Sequence, residues 1–182
     1  EIAEIAVKYG AEVPFLRSKN LASDNVAIEP VMIDVLDYLK KSEGYYPHCA
    51  GLLLPTSPFR VVNDVNNAIE IYNVKQPASV VSVSPATAGN NPYWMLKKDK
   101  LGRVTMINGD GLSKFPSRRQ DLPECFIKND FIFVINPKNL YSKVPNLYGD
   151  NVELLVIPEE RFEVDINNTK DWMIAEKLFQ FV

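Results

Sequence analysis

One segment constrains the fold of this 182-residue chain more than any other feature, and it reads Gly51-Leu-Leu-Leu-Pro-Thr-Ser-Pro-Phe-Arg60. It begins with a run of small and apolar residues. Uninterrupted apolar runs are typical of strands that are buried on both faces of a parallel sheet. This run ends abruptly in two hydroxyl residues between prolines, followed by an arginine. In open α/β folds, ligands bind at the carboxyl ends of the strands. The sequence therefore predicts a functional site at this strand end.

Helical and strand patterns alternate along much of the chain. Apolar residues repeat at helical spacing around residues 2–9, 29–39, 65–72 and 169–182. Between them lie apolar or β-branched segments that predict further strands, at 12–16, 78–84, 130–135 and 152–157. Regular alternation of this kind favours an α/β fold with a mostly parallel sheet flanked by helices.

Residues 85–121 break this alternation. Two short strand-like pieces, 93–96 and 103–107, flank a polar segment, and a loop rich in glycine, serine and proline follows. The pattern predicts a small hairpin lobe that projects from the main sheet. Tyr93, Trp94 and Met95 fit a partner surface, although packing within the chain explains them equally well.

Composition narrows the classes of function. With 46% apolar and 24% charged residues, the chain can bury a globular core. Its apolar runs are too short to cross a bilayer and no leader pattern opens the sequence, so we expect a cytoplasmic protein with no membrane partner. The net charge of −3 gives no basic footprint for nucleic acid. Cys49, Cys125 and the single His48 support neither a disulfide framework nor a zinc site.

Asp165 and Asn167 form a candidate metal-binding pair. They follow the predicted strand 152–157 and a short loop, and side chains two residues apart on an extended segment point the same way. Their oxygen atoms could share one hard cation. The same residue types are also common in acidic loops that cap a following helix.

Arg118, Arg119 and Gln120 form the most cationic local cluster of the sequence. A guanidinium group binds a carboxylate through two parallel hydrogen bonds, so the cluster suits an acidic ligand. A solvated loop explains the same residues equally well.

Two other polar clusters also have both a structural and a ligand-binding interpretation. Thr56 and Ser57 with Arg60 could form a stiff turn beside a surface cation, or could contact a ligand at the strand end. The second cluster consists of Arg17, Ser23 and Asp24. It could be a satisfied Asx-type turn or a nucleotide contact.

Several motifs occur together in a consistent order and spacing. They are Val13-Pro-Phe-Leu-Arg17, Leu21-Ala-Ser-Asp24, Leu53-Leu-Pro-Thr-Ser-Pro-Phe-Arg60, Ser79-Val-Val-Ser-Val83, Arg118-Arg-Gln-Asp-Leu-Pro123, Asn129, Asp165-Ile-Asn167, Asp171 and Ala175-Glu176. Through these motifs the chain resembles the acylneuraminate cytidylyltransferases, also called CMP-sialic acid synthetases. The resemblance implies a nucleotide-diphosphosugar-transferase type of fold, CTP as donor, a sialic-type (nonulosonic) sugar acid as acceptor, and Mg²⁺ as cofactor.

The resemblance also implies roles for individual residues. It assigns the nucleotide to Arg17, Ser23 and Asp24. It assigns the sugar acid to Thr56, Ser57, Arg60, Arg119, Gln120, Asn129 and Phe133. It assigns the metal to Asp165 and Asn167, and catalysis to Asp165 and Arg119. The hairpin at 85–121 occupies the place of the family's dimerisation lobe, so a homodimer is expected.

The chain departs from the family pattern on the acceptor and metal side. The differing residues are Leu54, Ile127, Phe133 and Asn167. We therefore hypothesise a legionaminic- or pseudaminic-type acceptor rather than N-acetylneuraminate.

The family's triphosphate-binding loop precedes the region matched here, so residues 1–182 are expected to form an incomplete cytidylyltransferase domain with the 85–121 lobe inserted within it. One alternative is an N-terminally truncated, non-catalytic nucleotide-binding or interaction fragment of this family. Another is a different transferase of the same architecture that uses a metal-bound nucleotide sugar.

Overall fold

The computed structural model describes residues 1–161 and 163–181, which belong to two compact units. Unit 1 comprises Glu1–His48 and Pro137–Leu147, and unit 2 comprises Cys49–Asn136 and the chain from Tyr148 onward. The fold is mixed α/β, with a four-stranded sheet and flanking helices. No helix in the described part of the chain is long and apolar enough to cross a membrane.

The four helices predicted from periodicity are confirmed. They are α1 (Ile2–Lys8), α2 (Ile28–Glu43), α3 (Val62–Lys75) and α4 (Thr169–Leu178). The last helix is shorter than the predicted 169–182, because α4 gives way to a 3-10 turn at Phe179–Phe181. Val182, the predicted final residue of that helix, lies outside the described residues.

The described residues of unit 2 contain six strands, which form two separate sheets. They are β1 (Ala50–Leu52), β2 (Ser79–Pro85), β3 (Leu96–Lys98), β4 (Val104–Met106), β5 (Phe126–Ile135) and β6 (Val152–Val156). The main sheet has the strand order β1-β5-β2-β6, and β3 and β4 pair with each other as a two-stranded hairpin. The predicted hairpin within 85–121 is therefore present.

The prediction of a mostly parallel sheet is wrong, because two of the three strand pairs of the described main sheet are antiparallel. Strand β5 runs antiparallel to both β1 and β2, and only β2 and β6 form a parallel pair. The chain leaves β2 at Pro85, passes through the hairpin, and enters β5 at Phe126, which lies opposite Pro85. Because the chain returns at the end of the sheet from which it left, β5 runs antiparallel to β2. Strands β1, β2 and β6 still share one direction.

Two other expectations from the sequence are corrected by the structure. The apolar run that begins at Gly51 is not buried throughout, since Leu53 is 44% exposed. Strand β1 lies at the edge of the described sheet and pairs only with β5. Residues 12–16, which the sequence predicts to form a strand, have no regular secondary structure, and no strand in the described residues pairs with them.

The start of the hairpin also differs from the prediction. Tyr93 belongs to a 3-10 turn, Pro92–Trp94, rather than to a strand. Asn91 caps this turn by accepting a hydrogen bond from the backbone N–H of Tyr93 at 3.0 Å. The indole N–H of Trp94 donates to the carbonyl of Pro116 at 2.9 Å. Trp94 is therefore half-buried within the lobe rather than fully exposed.

The main core of unit 2 lies between α3 and one face of the sheet. Ala68 and Tyr72 on α3 are buried in the same cluster as Val80, Val134 and Leu155 of the strands. Apolar burial of this kind supplies most of the stability of a helix packed on a sheet. In unit 1, Phe15 stacks on Tyr38 of α2 with ring centroids 4.5 Å apart.

A buried carboxylate joins the start of α3 to the segment after β6. Asp64 accepts a hydrogen bond from the backbone N–H of Val61 at 3.0 Å and pairs with the guanidinium of Arg161 at 3.2 Å. Arg161 also donates to the carbonyl of Phe59 at 2.8 Å. These contacts hold the segment after β6 against the loop that precedes α3.

Replacement of Asp64 by alanine is expected to lower the free energy of unfolding by about 1–3 kcal/mol, because the Val61 N–H at the start of α3 loses its acceptor and the half-buried guanidinium of Arg161 loses its carboxylate partner. Equilibrium urea unfolding measures the change. The control is Glu70→Ala, an exposed position on the same helix, which should stay within about 0.5 kcal/mol of the unsubstituted protein. Equal stability of the Asp64 and Glu70 variants would contradict this assignment.

Candidate functional site

The candidate site lies at one end of the strands of the main sheet, which we call the sheet edge from here on. There the carboxyl ends of β1, β2 and β6 meet the amino-terminal end of β5. Three segments converge there: the loop 53–60 after β1, the first half of β5, and residues 157–161 and 163–168 after β6. Several of the polar residues singled out in the sequence lie on these segments. The polar end of the apolar run therefore lies at the carboxyl end of β1, as predicted, but the strand beside it, β5, is antiparallel rather than parallel.

A bulge in β5 shapes this edge. Val81 pairs with Phe133 and Val83 with Lys128, so residues 129–132 of β5 lie opposite Ser82 alone. Asp130 has a positive φ of 58°, a left-handed conformation that aspartate tolerates better than most residues. The Ser82 hydroxyl oxygen accepts the backbone N–H of Ile132 at 2.9 Å and so replaces a ladder hydrogen bond lost at the bulge.

The loop 53–60 is fastened to the carbonyl groups of this bulge. The hydroxyl of Ser57 donates to the carbonyl of Asp130 at 3.2 Å. The guanidinium of Arg60 donates from Nε to the carbonyl of Phe131, and from Nη2 to the carbonyl of Leu54 at 2.7 Å. Ser57 is buried and Arg60 is half-buried. Both side chains thus have structural partners, and their predicted contact with the sugar stays a prediction.

Partial burial lowers the pKa of the Arg60 guanidinium from its ordinary value, and the nearby carboxylate of Asp64 opposes this shift. The ordinary pKa of arginine lies far above neutrality, so the group remains charged. Its hydrogen bonds to the two carbonyl groups are therefore charge-assisted, which makes them stronger than those of a neutral donor.

Thr56, which is half-buried, lies beside the candidate metal pair. Its backbone carbonyl accepts the N–H of Ile166 at 2.9 Å, which brings the loop 53–60 against the residues that flank Ile166. Asp165 and Asn167 are both exposed, and the Asn167 side-chain amide donates to Asp165 Oδ2 at 2.8 Å. The backbone N–H of Asn167 donates to Asp171 Oδ2 at 2.9 Å. The two side chains are therefore together, as their spacing predicts.

The donor set of this pair fits one mode of Mg²⁺ binding. Mg²⁺ is usually held by one or two carboxylates together with water and substrate phosphates, rather than by a cage built only of protein groups. Asp165 supplies one exposed carboxylate, and Asn167 supplies an amide next to it. Residues 1–161 and 163–181 contain no cluster of three or more His, Cys, Asp or Glu side chains that could hold a metal alone.

Asn129 lies half-buried at the start of the bulge, with its side-chain amide held at both ends. Its Nδ2 donates to the hydroxyl oxygen of Ser84 at 2.7 Å, and its Oδ1 accepts the backbone N–H of Phe131 at 3.3 Å. The Ser84 hydroxyl in turn donates to Oε1 of Glu163. Sequence reasoning did not single out Ser84 or Glu163. For Ser84, the signal available in the sequence was the alternation of serine with valine along β2, which places polar side chains on one face of that strand.

Arg119 and Gln120 lie in a short 3-10 helix, Arg119–Asp121, and both are exposed. Arg119 lines a cavity of about 170 Å³ together with Pro85, the last residue of β2, so the structure brings this cation close to the end of that strand. Arg118 instead pairs with Asp121 through two hydrogen bonds of 2.8 and 2.7 Å. Arg119 therefore faces a cavity, whereas Arg118 is paired with an aspartate.

Phe133 lies in the core rather than at the open edge. Its side chain is only 2% exposed, and its ring meets that of Tyr148 edge-on with centroids 6.1 Å apart. The ammonium group of Lys128 lies 5.5 Å from the centroid of the same ring and 2.6 Å from Oδ1 of Asp130. This burial favours a packing role for Phe133, and its predicted contact with a sugar stays a prediction.

The predicted nucleotide residues belong to unit 1. Arg17 lines a cavity of about 280 Å³ together with Asp34 of α2. Ser23 and Asp24 are exposed and follow the 3-10 helix Lys19–Ala22. The backbone carbonyl of Ser23 accepts the N–H of Val26 at 3.1 Å, which forms a backbone turn. The Asx-type turn and the nucleotide contact of this segment both stay predictions.

Replacement of Arg60 by alanine is expected to lower the free energy of unfolding by about 1.5–3 kcal/mol, because two backbone carbonyls lose a charged donor. Arg60→Lys should recover only part of this loss, since one ammonium group does not reproduce the fork of a guanidinium. Arg119→Ala, at an exposed arginine near the same edge, is the control and should change stability by no more than about 0.5 kcal/mol. An Arg60→Ala variant as stable as the control would show that the anchoring is unimportant.

Comparisons with known proteins find relatives that are named as CMP-sugar-acid synthases and cytidylyltransferases. It is 31% identical over 186 residues to a CMP-N,N'-diacetyllegionaminic acid synthase from Legionella pneumophila, an alignment that covers 99% of this chain and 74% of that protein. It is 38% identical over 180 residues to a pseudaminic acid cytidylyltransferase from Campylobacter jejuni, covering 99% and 74%.

A more distant relative extends the same group. An N-acylneuraminate cytidylyltransferase from Escherichia coli is 28% identical over 173 residues, which are 94% of this chain and 38% of that protein. No protein-family model matches the sequence. The alignments to the legionaminic and pseudaminic enzymes nevertheless cover almost the whole chain, and they are consistent with the motifs at the sheet edge. This chain therefore belongs to the acylneuraminate cytidylyltransferase family of nucleotidyltransferases.

Proposed function

We propose that this protein transfers a cytidylyl group from CTP to a nonulosonic acid in the cytoplasm, where CTP is made. The anomeric hydroxyl oxygen of the sugar acid attacks the α-phosphorus of CTP, and the bond from that phosphorus to the bridging oxygen breaks. Pyrophosphate leaves, the hydroxyl proton passes to solvent, and the CMP-sugar remains. Such transfer needs positioning and neutralisation of charge rather than a nucleophile from the protein.

The observation that carries this proposal is the alignment of 99% of the chain with relatives named as CMP-legionaminic acid synthase and pseudaminic acid cytidylyltransferase. The geometry of the sheet edge supports it. An exposed carboxylate lies next to an amide at Asp165 and Asn167, and the contact between Thr56 and Ile166 brings the loop 53–60 to the same place. We also infer a nucleotide-diphosphosugar-transferase type of fold, in which an edge of this kind holds the nucleotide and acceptor.

The proposed roles follow the chemistry of each group. Asp165 would hold Mg²⁺ together with the amide oxygen of Asn167, once the Asn167 side chain turns its NH₂ group away from Asp165 Oδ2. When bound, the cation neutralises negative charge on the triphosphate. Arg119 would pair with the carboxylate of the sugar acid, for which a guanidinium fork is well suited. Asn129 would offer its remaining amide hydrogen to the same acceptor. In unit 1, Arg17, Ser23 and Asp24 would contact the nucleotide.

We propose a legionaminic- or pseudaminic-type acid as the acceptor. Of the four positions where the chain departs from the family pattern on the predicted acceptor and metal side, Leu54, Ile127 and Asn167 are exposed or half-buried, whereas Phe133 is buried in the core. The relatives named for legionaminic and pseudaminic acids align at 31% and 38% identity, against 28% for the N-acylneuraminate enzyme. These differences favour the modified bacterial acids over N-acetylneuraminate.

The direct test is pyrophosphate release from CTP with Mg²⁺ and a panel of legionaminic, pseudaminic and N-acetylneuraminic acids. We expect release that requires one of the first two acids and that ATP, GTP or UTP do not support. Preference for N-acetylneuraminate would refute the acceptor assignment alone. CTP binding without release for any acid would favour the non-catalytic alternative, and release from a nucleotide sugar would favour a different transferase.

The metal pair yields a second prediction. Asp165→Asn should reduce kcat/KM by about 10²- to 10³-fold, because a charged oxygen ligand at the reacting phosphate is lost. Asn167→Asp should lower the Mg²⁺ concentration that gives half-maximal activity, since it adds a second carboxylate. Asp150→Asn, at an exposed residue that precedes β6, is the control. A Mg²⁺ titration of all three variants gives the comparison, and equal curves for Asp165→Asn and the control would refute the metal assignment.

We further propose that the protein forms a homodimer through the hairpin lobe. The lobe carries a group of exposed apolar side chains, which are Met95, Leu96, Leu101, Val104, Ile107, Leu112 and Phe115. Exposed apolar groups of this density are more typical of an interface than of a free surface.

Sedimentation equilibrium measures the proposed association. Leu96→Asp should shift the protein toward the monomer, because it places a charge at an apolar contact. Lys100→Asp, in the turn of the same hairpin, is the matched control and should leave the association constant nearly unchanged. A monomeric unsubstituted protein, or a dimer insensitive to Leu96→Asp, would exclude the lobe as the interface.

A further inference from the structure

We propose that Glu163 is a positioning residue that sets the orientation of Asn129 through the hydroxyl of Ser84. This inference rests on the proposed function in one respect, which is that the ligand contacted by Asn129 is the sugar acid. The contacts themselves are internal to unit 2: Glu163 Oε1 accepts from the Ser84 hydroxyl, and the Ser84 oxygen accepts from Asn129 Nδ2 at 2.7 Å.

The direction of each hydrogen bond in this chain is determined by chemistry. A carboxylate can only accept, so the single hydroxyl hydrogen of Ser84 points to Glu163. The lone pairs of Ser84 are then left for Asn129, which must present its NH₂ group. Ser84 is only 8% exposed, which limits competition from water for the same hydroxyl. Glu163 thereby favours the orientation in which the NH₂ end of the Asn129 amide faces Ser84.

The other end of the Asn129 amide is fixed independently. Its Oδ1 accepts the backbone N–H of Phe131 within the bulge at 3.3 Å. With both ends engaged, the amide keeps one N–H hydrogen and one oxygen lone pair for a ligand. A free asparagine could present either end to a sugar hydroxyl. The held asparagine presents its remaining N–H and its remaining oxygen lone pair in defined directions, which reduces the entropy lost on binding.

Glu163 also joins the two halves of the candidate site. It lies two residues before Asp165, and its partner Ser84 lies on β2 beside the start of β5. The Thr56–Ile166 and Ser57–Asp130 hydrogen bonds complete a circuit through the loop 53–60. The hydrogen-bond chain from Glu163 to Asn129 therefore links the segment of the proposed metal pair to the proposed acceptor residue.

The orientation is tested first without turnover, by the side-chain amide resonances of Asn129 in ¹⁵N NMR spectra of the full chain. The two NH₂ resonances of Asn129 are identified as those that disappear from the spectrum of the Asn129→Asp variant. We expect Glu163→Ala and Ser84→Ala to shift or broaden these signals, and Glu163→Gln to retain them because its amide oxygen still accepts from Ser84. Glu160→Ala, at an exposed glutamate of the same loop, is the control. Unchanged Asn129 signals in Glu163→Ala would overturn the proposal.

Kinetics then separates positioning from a structural role. Glu163→Ala should raise KM for the sugar acid about tenfold, equivalent to about 1.4 kcal/mol, and change KM for CTP by less than about twofold. Glu163→Gln should restore most of the loss. In an Asn129→Ala background, Glu163→Ala should have little further effect, since the two act through one group.

The outcomes distinguish this inference from the proposed function. Equal loss of affinity for both substrates, or an additive double variant, would overturn the positioning role. NMR shifts as expected in a protein that turns over no sugar acid would support the orientation of Asn129 by Glu163 and refute the proposed function alone.

Discussion

The candidate site depends on the bulge of β5 and on the two side chains that bind its carbonyl groups. Four residues of β5 stand opposite Ser82, so the strand cannot complete its ladder there. Ser57 and Arg60 take up the carbonyls of Asp130 and Phe131, which fixes the loop after β1 to the strand beside it. A buried carbonyl without a donor costs free energy. The anchors and the bulge therefore stabilise each other.

This arrangement explains how an open sheet edge can hold separate loops in a defined geometry. The loop 53–60 contacts the bulge through Ser57 and contacts the loop after β6 through the backbone of Thr56. The loop after β6 returns to β2 through Glu163 and Ser84. Because positioning is the main requirement of phosphoryl-type transfer, a closed set of hydrogen bonds at this edge matches the chemistry of the family.

Local patterns predicted the helices well, and the pairing of strands poorly. Helices α2 and α3 follow from apolar residues at helical spacing, which act over a few turns of chain. The antiparallel course of β5 follows from where the hairpin at 85–121 returns the chain, which no local pattern records. The segment at 12–16 has strand composition but no strand beside it. For the same reason Arg60 looked like a free cation, although its partners are backbone carbonyls 6 and 71 residues away in sequence.

The sequence by itself determined the helices, the position of the polar strand end, and the adjacency of Asp165 and Asn167, because each depends on residues close together in the chain. Its motifs also determined the family. The tertiary structure alone decided that β5 is inserted between β1 and β2, that Phe133 is buried, and that Ser84 and Glu163 contact each other across 79 residues. These features arise from hydrogen bonds and packing between distant segments, which the identity of neighbouring residues does not specify.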